Sequence, residues 1–374
     1  MSAPGITPIV MPKWGLSMTE GKVTAWLVDE GAAIAVGTPI LEVETDKIAN
    51  AVEAADAGLL RRKVAHEGDL LPVKALLGVL AGDGVSDADV DAYVAGYVTP
   101  ADLADEDAQA GPAYQFIDVD GISVRYLRIG PAGDDTPALF IHGFGGDLDT
   151  WLFNLDPVAK ALPVIALDLP AHGQSAVKLP AATIGALAAF VARFMDAIGV
   201  AEAHLVGHSM GGAIASQLAL DEPSRVASLS LIASAGLGAE IDADYIDGFT
   251  AATSRRELKP VLERLFAHPE LVSRQMIDDV LKYKRIDGVG DALGMLGRSL
   301  FPGGAQAERP GLRLNESGRP ALVVWGRNDR VVPVAHAANA PPDAIVEVLD
   351  DAGHMVQMEK ASDVNRLLLR RMGR

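Results

Sequence analysis

Glu42-Val43-Glu44-Thr45-Asp46-Lys47-Ile48-Ala49-Asn50 sets one lysine between two strand-like patterns. Before it, Leu41, Val43 and Thr45 alternate with acidic residues; after it, Ile48, Asn50 and Val52 alternate with smaller ones. Period-two alternation marks strands with one solvated face. Thr45, Asp46 and Lys47 then form the tip of a hairpin-like connection, with the lysine projecting into water.

Around that tip the sequence repeats. Gly21 matches Gly58, Glu30-Gly31 matches Glu67-Gly68, and Val36 matches Val73, each offset by 37 residues. Apolar positions keep the same offset: Val23 with Leu60, Ile34 with Leu71, Ile40 with Leu77. Two copies of a strand-turn-strand unit can bury their apolar faces only against each other. The expected product is a small two-sheet sandwich with Lys47 near a pseudo-twofold position.

The chain has 374 residues, 49% of them hydrophobic, enough for two or three domains with a sizeable core. Its net charge of −18 argues against nucleic-acid binding, which needs a basic face, and favours solubility. There is no cysteine, so disulfides and cysteine-based zinc sites are excluded, and thiol chemistry would have to come from a cofactor. No spacing of His, Asp and Glu suggests a metal site. With no basic segment leading into an apolar run near Met1 and no uncharged apolar stretch of about 18 residues, neither a secretory signal nor a transmembrane helix is expected. The expected setting is cytoplasmic.

Residues 1–82 read as the sandwich and 83–113 as an acidic, Ala/Asp-rich linker closing in Gly111-Pro112. Within the linker, Ser86 to Val94 could form a short capped helix. About 30 flexible residues would have a root-mean-square reach of roughly 30 Å, which suits a domain that visits a site; a passive spacer would have the same composition. From 114 to 374 short apolar runs recur between helical stretches: Ala138 to Ile141, Val164 to Leu167, Ala203 to Val206, Leu229 to Ala233 and Ala321 to Trp325. Such runs predict buried parallel strands with crossover helices, one helix spanning Ile184 to Ile198. An antiparallel hairpin around Asp120-Gly121 precedes them. From about 237 to 310 the strand runs stop, which reads as a helical lid over a pocket.

Gly207-His208-Ser209-Met210-Gly211 follows one of these runs and opens a helix, the strand-turn-helix context of a nucleophile elbow. A surface Gly/Ser turn would lack that context. Asp329 follows the run ending at Trp325, and His354 follows Val346 to Leu349, giving the order Ser, Asp, His. His354 would take the Ser209 proton while Asp329 fixes its tautomer. Asp350 and Asp351 compete as the acid but lie too near His354 in sequence for a separate strand-end loop. The amides of Phe144, in His142-Gly143-Phe144-Gly145-Gly146, and of Met210 are the expected oxyanion hole. His66, His268 and His336 read as surface residues, His172 as structural, and His208 as pointing away from the serine.

Met11-Pro12-Lys13-Trp14-Gly15-Leu16-Ser17-Met18-Thr19-Glu20-Gly21 with Glu44-Thr45-Asp46-Lys47 resembles the lipoyl domains of 2-oxoacid dehydrogenase complexes, from about Pro8 to Asp83. The resemblance implies an amide-linked lipoyl group on Lys47. From about Tyr114 to Arg374 the chain resembles the α/β-hydrolase superfamily at His142-Gly143, Asp168 to Ser175, the elbow, Gly326 to Asp329 and Gly353-His354, with Ala171 where members more often have Gly. The pairing resembles the acyltransferase component of bacterial acetoin dehydrogenase complexes. It implies acetyl transfer from the lipoyl arm to coenzyme A, with a thiamine-diphosphate-dependent acetoin-cleaving component and dihydrolipoyl dehydrogenase as partners. A thioester or ester hydrolase recruited by its lipoyl domain, and a non-catalytic carrier and scaffold, are the alternatives; an intact Ser209, Asp329 and His354 speaks against the last. The His-x-x-x-Asp-Gly motif of ordinary lipoyl-bearing acyltransferases does not occur, and only Ser86 to Tyr97 could stand in for a peripheral-subunit-binding domain. The resemblance therefore does not carry over a cubic or icosahedral core or a mode of partner docking, and leaves oligomerisation open.

Protein made in a lipoate-competent host is expected to show one lipoyl addition in its intact mass, absent from Lys47→Arg. An unmodified mass from that host would refute the attachment site.

Overall fold

The computed structural model describes residues 5–14, 18–45, 49–82, 84–100, 114–133 and 135–374. It divides into two compact units, Met1–Pro112 and Ala113–Arg374.

The first unit is built from β1 (Ile6–Val10), β2 (Glu20–Trp26), β3 (Ala33–Ile34), β4 (Pro39–Glu44), β5 (Ala49–Glu53), β6 (Gly58–Lys63), β7 (Leu70–Pro72) and β8 (Leu76–Ala81). They form two four-stranded sheets, β1-β8-β6-β3 and β5-β4-β2-β7. The 37-residue repeat maps β4 onto β8 residue for residue, and β2 and β3 onto β6 and β7 to within a residue. Hydrogen bonds repeat with it: Gly31 N donates to Leu60 O at 2.7 Å, and Gly68 N to Val23 O at 2.8 Å. Both glycines have left-handed backbones, with φ of 88° and 94°. At the next turn Gly37 (φ 83°) is matched by Lys74 (φ 69°), so the second copy carries a side chain where the first needs none. Met11, Val23, Leu41, Val43, Leu60 and Leu77 lie wholly buried in the core.

Lys47 lies outside the described residues. On either side of it, β4 and β5 pair as far as Glu44 opposite Ala49, and Lys47 is the single amine in the intervening stretch.

Composition marks 83–113 as linker, yet part of it folds onto the sandwich. Helix α1 (Asp87–Gly96) starts at Ser86, whose Oγ accepts from Asp89 N. Val90 is wholly buried against Ile6, Leu76, Val79 and Ala81. Tyr97 Oη donates to Lys74 O at 2.7 Å, and Arg61 pairs with Asp87 at 2.7 Å. The cause is a break in the repeat. Leu76, Val79 and Ala81 on β8 correspond to Pro39, Glu42 and Glu44 on β4, which are exposed. One sheet thus carries an apolar outer side that must be covered, and the other does not.

The second unit holds an eight-stranded sheet. In sequence its strands are β9 (Gln115–Val119), β10 (Ile122–Ile129), β11 (Ala138–Ile141), β12 (Val164–Leu167), β13 (Ala203–His208), β14 (Val226–Ile232), β15 (Ala321–Gly326) and β16 (Ile345–Leu349). Their order across the sheet is β9-β10-β12-β11-β13-β14-β15-β16. β9 and β10 form the expected antiparallel hairpin, with Asp120 (φ 55°) and Gly121 (φ 74°) both left-handed. All pairings from β12 to β16 are parallel. The five apolar runs are β11 to β15, and β16 adds a sixth parallel strand.

Helices α2 (Leu155–Ala159), α3 (Ile184–Ala197), α4 (Met210–Asp221), α9 (Val356–Glu359) and α10 (Ala361–Arg371) surround the sheet. α3 buries Leu187, Phe190, Val191 and Phe194, the residues its helical spacing selects. Between β14 and β15 lies the helical insertion: α5 (Ala243–Ala251), α6 (Arg255–Leu262), α7 (Arg274–Lys284) and α8 (Val289–Leu300). No helix among the described residues is long and apolar enough to cross a membrane.

An excised fragment of residues 1–100 is expected to be more stable than one of residues 1–82, by about 2–4 kcal/mol for the apolar surface that α1 covers. Urea unfolding of the two fragments measures this; equal midpoints would show that α1 contributes nothing.

Candidate active site

Ser209 stands at the turn between β13 and α4 with φ 53° and ψ −118°, a backbone conformation costing on the order of 1–3 kcal/mol. Close packing enforces it. A Cβ on Gly207 would lie 2.4 Å from Gly211 O, and one on Gly211 would lie 2.1 Å from Ile141 O. The turn is also tied into the sheet, since Ser209 N donates to Ile232 O at 3.0 Å and Ser209 O accepts from Ala235 N at 3.0 Å.

Asp329 follows β15 and His354 follows β16, and the fold brings the two together. His354 Nδ1 donates to Asp329 Oδ2 at 2.8 Å, both side chains being buried. The other carboxylate oxygen, Oδ1, accepts from Val331 N at 2.8 Å and Val332 N at 3.0 Å. Asp350 and Asp351 are engaged elsewhere and exposed: Asp350 with Arg327, Asp351 with His268 and Lys360. Asp329 is therefore the carboxylate that the fold places on His354.

His208 Nε2 donates to the backbone oxygen of His354 at 3.0 Å, and the two rings lie 4.7 Å apart. Burial, and then the neighbouring His354, hold the His208 imidazole well below its ordinary pKa. His142 is held well below as well, by burial and then by His172. Its Nδ1 donates to Gly143 O at 2.8 Å and its Nε2 accepts from Leu169 N at 2.9 Å. Burial pushes His172 down to about 4. These three rings are uncharged at neutral pH. Among the four histidines here, His354 alone has a carboxylate on its ring.

The loop carrying Phe144 approaches Ser209 closely, because a Cβ on Gly143 would lie 3.0 Å from Ser209 Cβ. Met210 is the first residue of α4, so its amide has no acceptor within the helix. Phe249 of α5 and Phe301 after α8 pack edge-on against Phe144, with centroids at 5.8 Å and 6.0 Å. Gly145 (φ 72°) leaves room for Phe249, whose ring a Cβ there would meet at 2.4 Å.

Asp168 supports this region from below. Its Oδ1 accepts from Leu148 N at 2.9 Å, and its Oδ2 accepts from Gln174 N at 2.8 Å and Arg125 Nη1 at 3.3 Å. Burial nonetheless pushes its carboxyl up. Ala171 has φ 63°, which explains why glycine is the commoner residue there.

His336 departs from its expected surface location. Its ring is buried beside Trp325, its Nε2 lies 2.8 Å from Glu240 Oε2, and a Cβ on Gly238 would sit 2.2 Å from the ring. The missing side chain at Gly238 makes the space. Sequence patterns also miss His208 as a support for His354, and Glu359. The Glu359 carboxylate accepts from Gly353 N at 2.6 Å and Ala267 N at 2.8 Å.

Two family models match the chain. A model of the biotin-requiring enzymes, which covers biotin and lipoyl attachment domains, matches residues 7–80, and an α/β-hydrolase fold model matches residues 136–361. The dihydrolipoyllysine-residue acetyltransferase component of the acetoin cleaving system of Cupriavidus necator is 63% identical over 371 residues, covering 99% of this chain and 98% of that protein. The chain belongs to this acetyltransferase family. The component of the same name from Pseudomonas putida is 48% identical over 97% of this chain and 98% of its own length. A meta-cleavage product hydrolase of Pseudomonas fluorescens IP01 matches 69% of this chain and 97% of its own, with a TM-score of 0.63 at 21% identity, and so shares the fold. A lipoyl-type sandwich followed by an α/β-hydrolase domain is thus the architecture of this acetyltransferase chain.

Gly211→Ala drives a methyl group into a backbone carbonyl and is expected to cost about 3 kcal/mol or more. Thermal unfolding of the full chain checks it. A melting temperature equal to the parent's would show that the turn has room the structure denies it.

Proposed function

We propose that this chain is the acetyltransferase of an acetoin-cleaving complex and passes an acetyl group from a lipoyl arm on Lys47 to coenzyme A by way of Ser209. One observation carries the reading: a single chain, related along its length to two such acetyltransferase components, has a Ser209 elbow whose neighbour His208 is bonded to the His354 of a buried Asp329–His354 pair.

The lipoyl group supplies the acetyl donor as a thioester. Lys47 suits it, as the single amine between two paired strand ends. Asp329 holds His354 Nδ1, which leaves Nε2 to accept the Ser209 proton as Oγ attacks the thioester carbonyl. The amides of Phe144 and Met210 hold the oxyanion. When the C–S bond breaks, His354 returns the proton to the departing thiol, leaving acetyl-Ser209. His354 then takes the proton of the coenzyme A thiol, whose sulfur attacks the ester. Collapse releases acetyl-coenzyme A and restores the serine hydroxyl with the proton from His354.

Water would divert acetyl-Ser209 to acetate. The insertion at 237–310, closing over Phe144 through Phe249 and Phe301, is the element suited to limiting it. In this reading a thiamine-diphosphate-dependent component loads the arm and dihydrolipoyl dehydrogenase reoxidises it, in the cytoplasm.

Ser209→Ala removes covalent catalysis and should lower acetyl transfer to coenzyme A by several powers of ten, leaving lipoylation unchanged. Acetyl-coenzyme A and acetate formed from acetylated full-length protein are measured together. Near-full transfer by Ser209→Ala would refute the acyl-serine route, and acetate as the main product of the parent chain would make it a hydrolase.

A further inference from the structure

Trp325 stands at the end of β15, wholly buried, with its indole edge turned toward the acid of the site. Its Nε1–H donates to Asp329 Oδ2 at 3.0 Å, the same oxygen that takes His354 Nδ1, and is shared with Val332 O at 3.1 Å. We propose that Trp325 is a positioning residue of the acyl-transfer site: its indole N–H holds Asp329 Oδ2 in line with His354 and draws off part of the charge that oxygen presents. The proposal rests on Ser209, His354 and Asp329 acting together as described above.

Two features give the indole a distinct role. The amides on Oδ1 come from Val331 and Val332, in the same loop as Asp329, and move when that loop moves. Trp325 belongs to a central strand paired on both sides, so it ties the carboxylate to the sheet. The indole is itself held, since His336 packs edge-on against it at 6.5 Å and an interplanar angle of 81°. A donor on a buried carboxylate also favours its charged form. When His354 becomes cationic, the proton then stays on the imidazole rather than crossing to Asp329.

The surroundings make the effect measurable. Around His354 the titratable groups are His208 against its ring, Asp329 on Nδ1, and Glu359, which accepts from the Gly353 amide. Arg330, beside Asp329, donates to the backbone oxygens of Glu263 and Phe266. Behind the indole lies the pair of His336 and Glu240. Of these groups, Asp329 alone loses a bond when the indole N–H is removed.

The test compares pH profiles of acetyl transfer to coenzyme A for the lipoylated full chain, Ser209→Ala, Trp325→Phe, and a chain with β-(3-benzothienyl)alanine placed at position 325. That analogue keeps the fused ring and lacks the N–H. Without the N–H, Oδ2 presents more negative charge to the imidazole. The acid limb of kcat/KM should move up by about half a pH unit, and kcat should fall roughly tenfold with KM for the acyl donor little changed. A packing role alone would leave the limb in place. Should Trp325→Phe fail to fold, the benzothienyl chain decides. A limb unmoved and kcat within about twofold of the parent in that chain, with Ser209→Ala inactive, overturns this proposal alone. An active Ser209→Ala overturns it together with the acyl-serine reading.

Discussion

A serine forced into a backbone conformation that side-chain-bearing residues avoid is the constraint on which the second unit depends. Ser209 can hold φ 53° only because Gly207 and Gly211 allow backbone carbonyls nearer than a methyl group would permit. The same closeness brings the Gly143 loop onto the serine, and with it the amide of Phe144. Ser209 and the Phe144 loop are therefore brought together by one packing solution. The hydroxyl is set by the sheet rather than by a mobile loop, which is how a fold holds a reacting atom to a fraction of an ångström.

The first unit obeys a different constraint, that of near-symmetry. Two copies of one motif bury their apolar faces on each other, and hydrogen bonds recur in both halves. The halves differ where function and stability ask for different surfaces. β4, which leads to Lys47, turns Glu42 and Glu44 outward, while its mate β8 turns Val79 and Ala81 against α1. Acidic residues precede Lys47 on β4, and apolar ones at the equivalent places on β8 anchor α1.

Much of this was legible because it is local. The elbow is a strand, a tight turn and a helix in one unbroken stretch, Ala203 to Asp221, and the repeat is visible as a fixed offset. The chain order of Ser209, Asp329 and His354 follows from strand-end loops that apolar runs mark out. What escaped depends on contacts between distant positions. His208 meets the carbonyl of His354 146 residues away, and His336 meets Glu240 across 96. The burial of His336 turns on a missing side chain at Gly238, a fact that no property of His336 reports. Trp325 read as one more apolar strand residue because the value of its N–H depends on where Asp329 folds back. The docking of α1 escaped composition because its acidic, alanine-rich sequence carries little apolar periodicity; the demand for cover comes from β8.

The contacts of residues 263–268 determine how the helical insertion can move. Arg330 grips the backbone at Glu263 and Phe266, Met355 N donates to Leu265 O, and the Glu359 carboxylate joins Ala267 to Gly353. This segment is fastened to the loops of both Asp329 and His354. Displacing it would strain the contact between His354 and Asp329. The start of α5 is tied to the same region, since Asp242 N donates to Val331 O at 2.8 Å, and toward Phe144 the insertion presents the rings of Phe249 and Phe301.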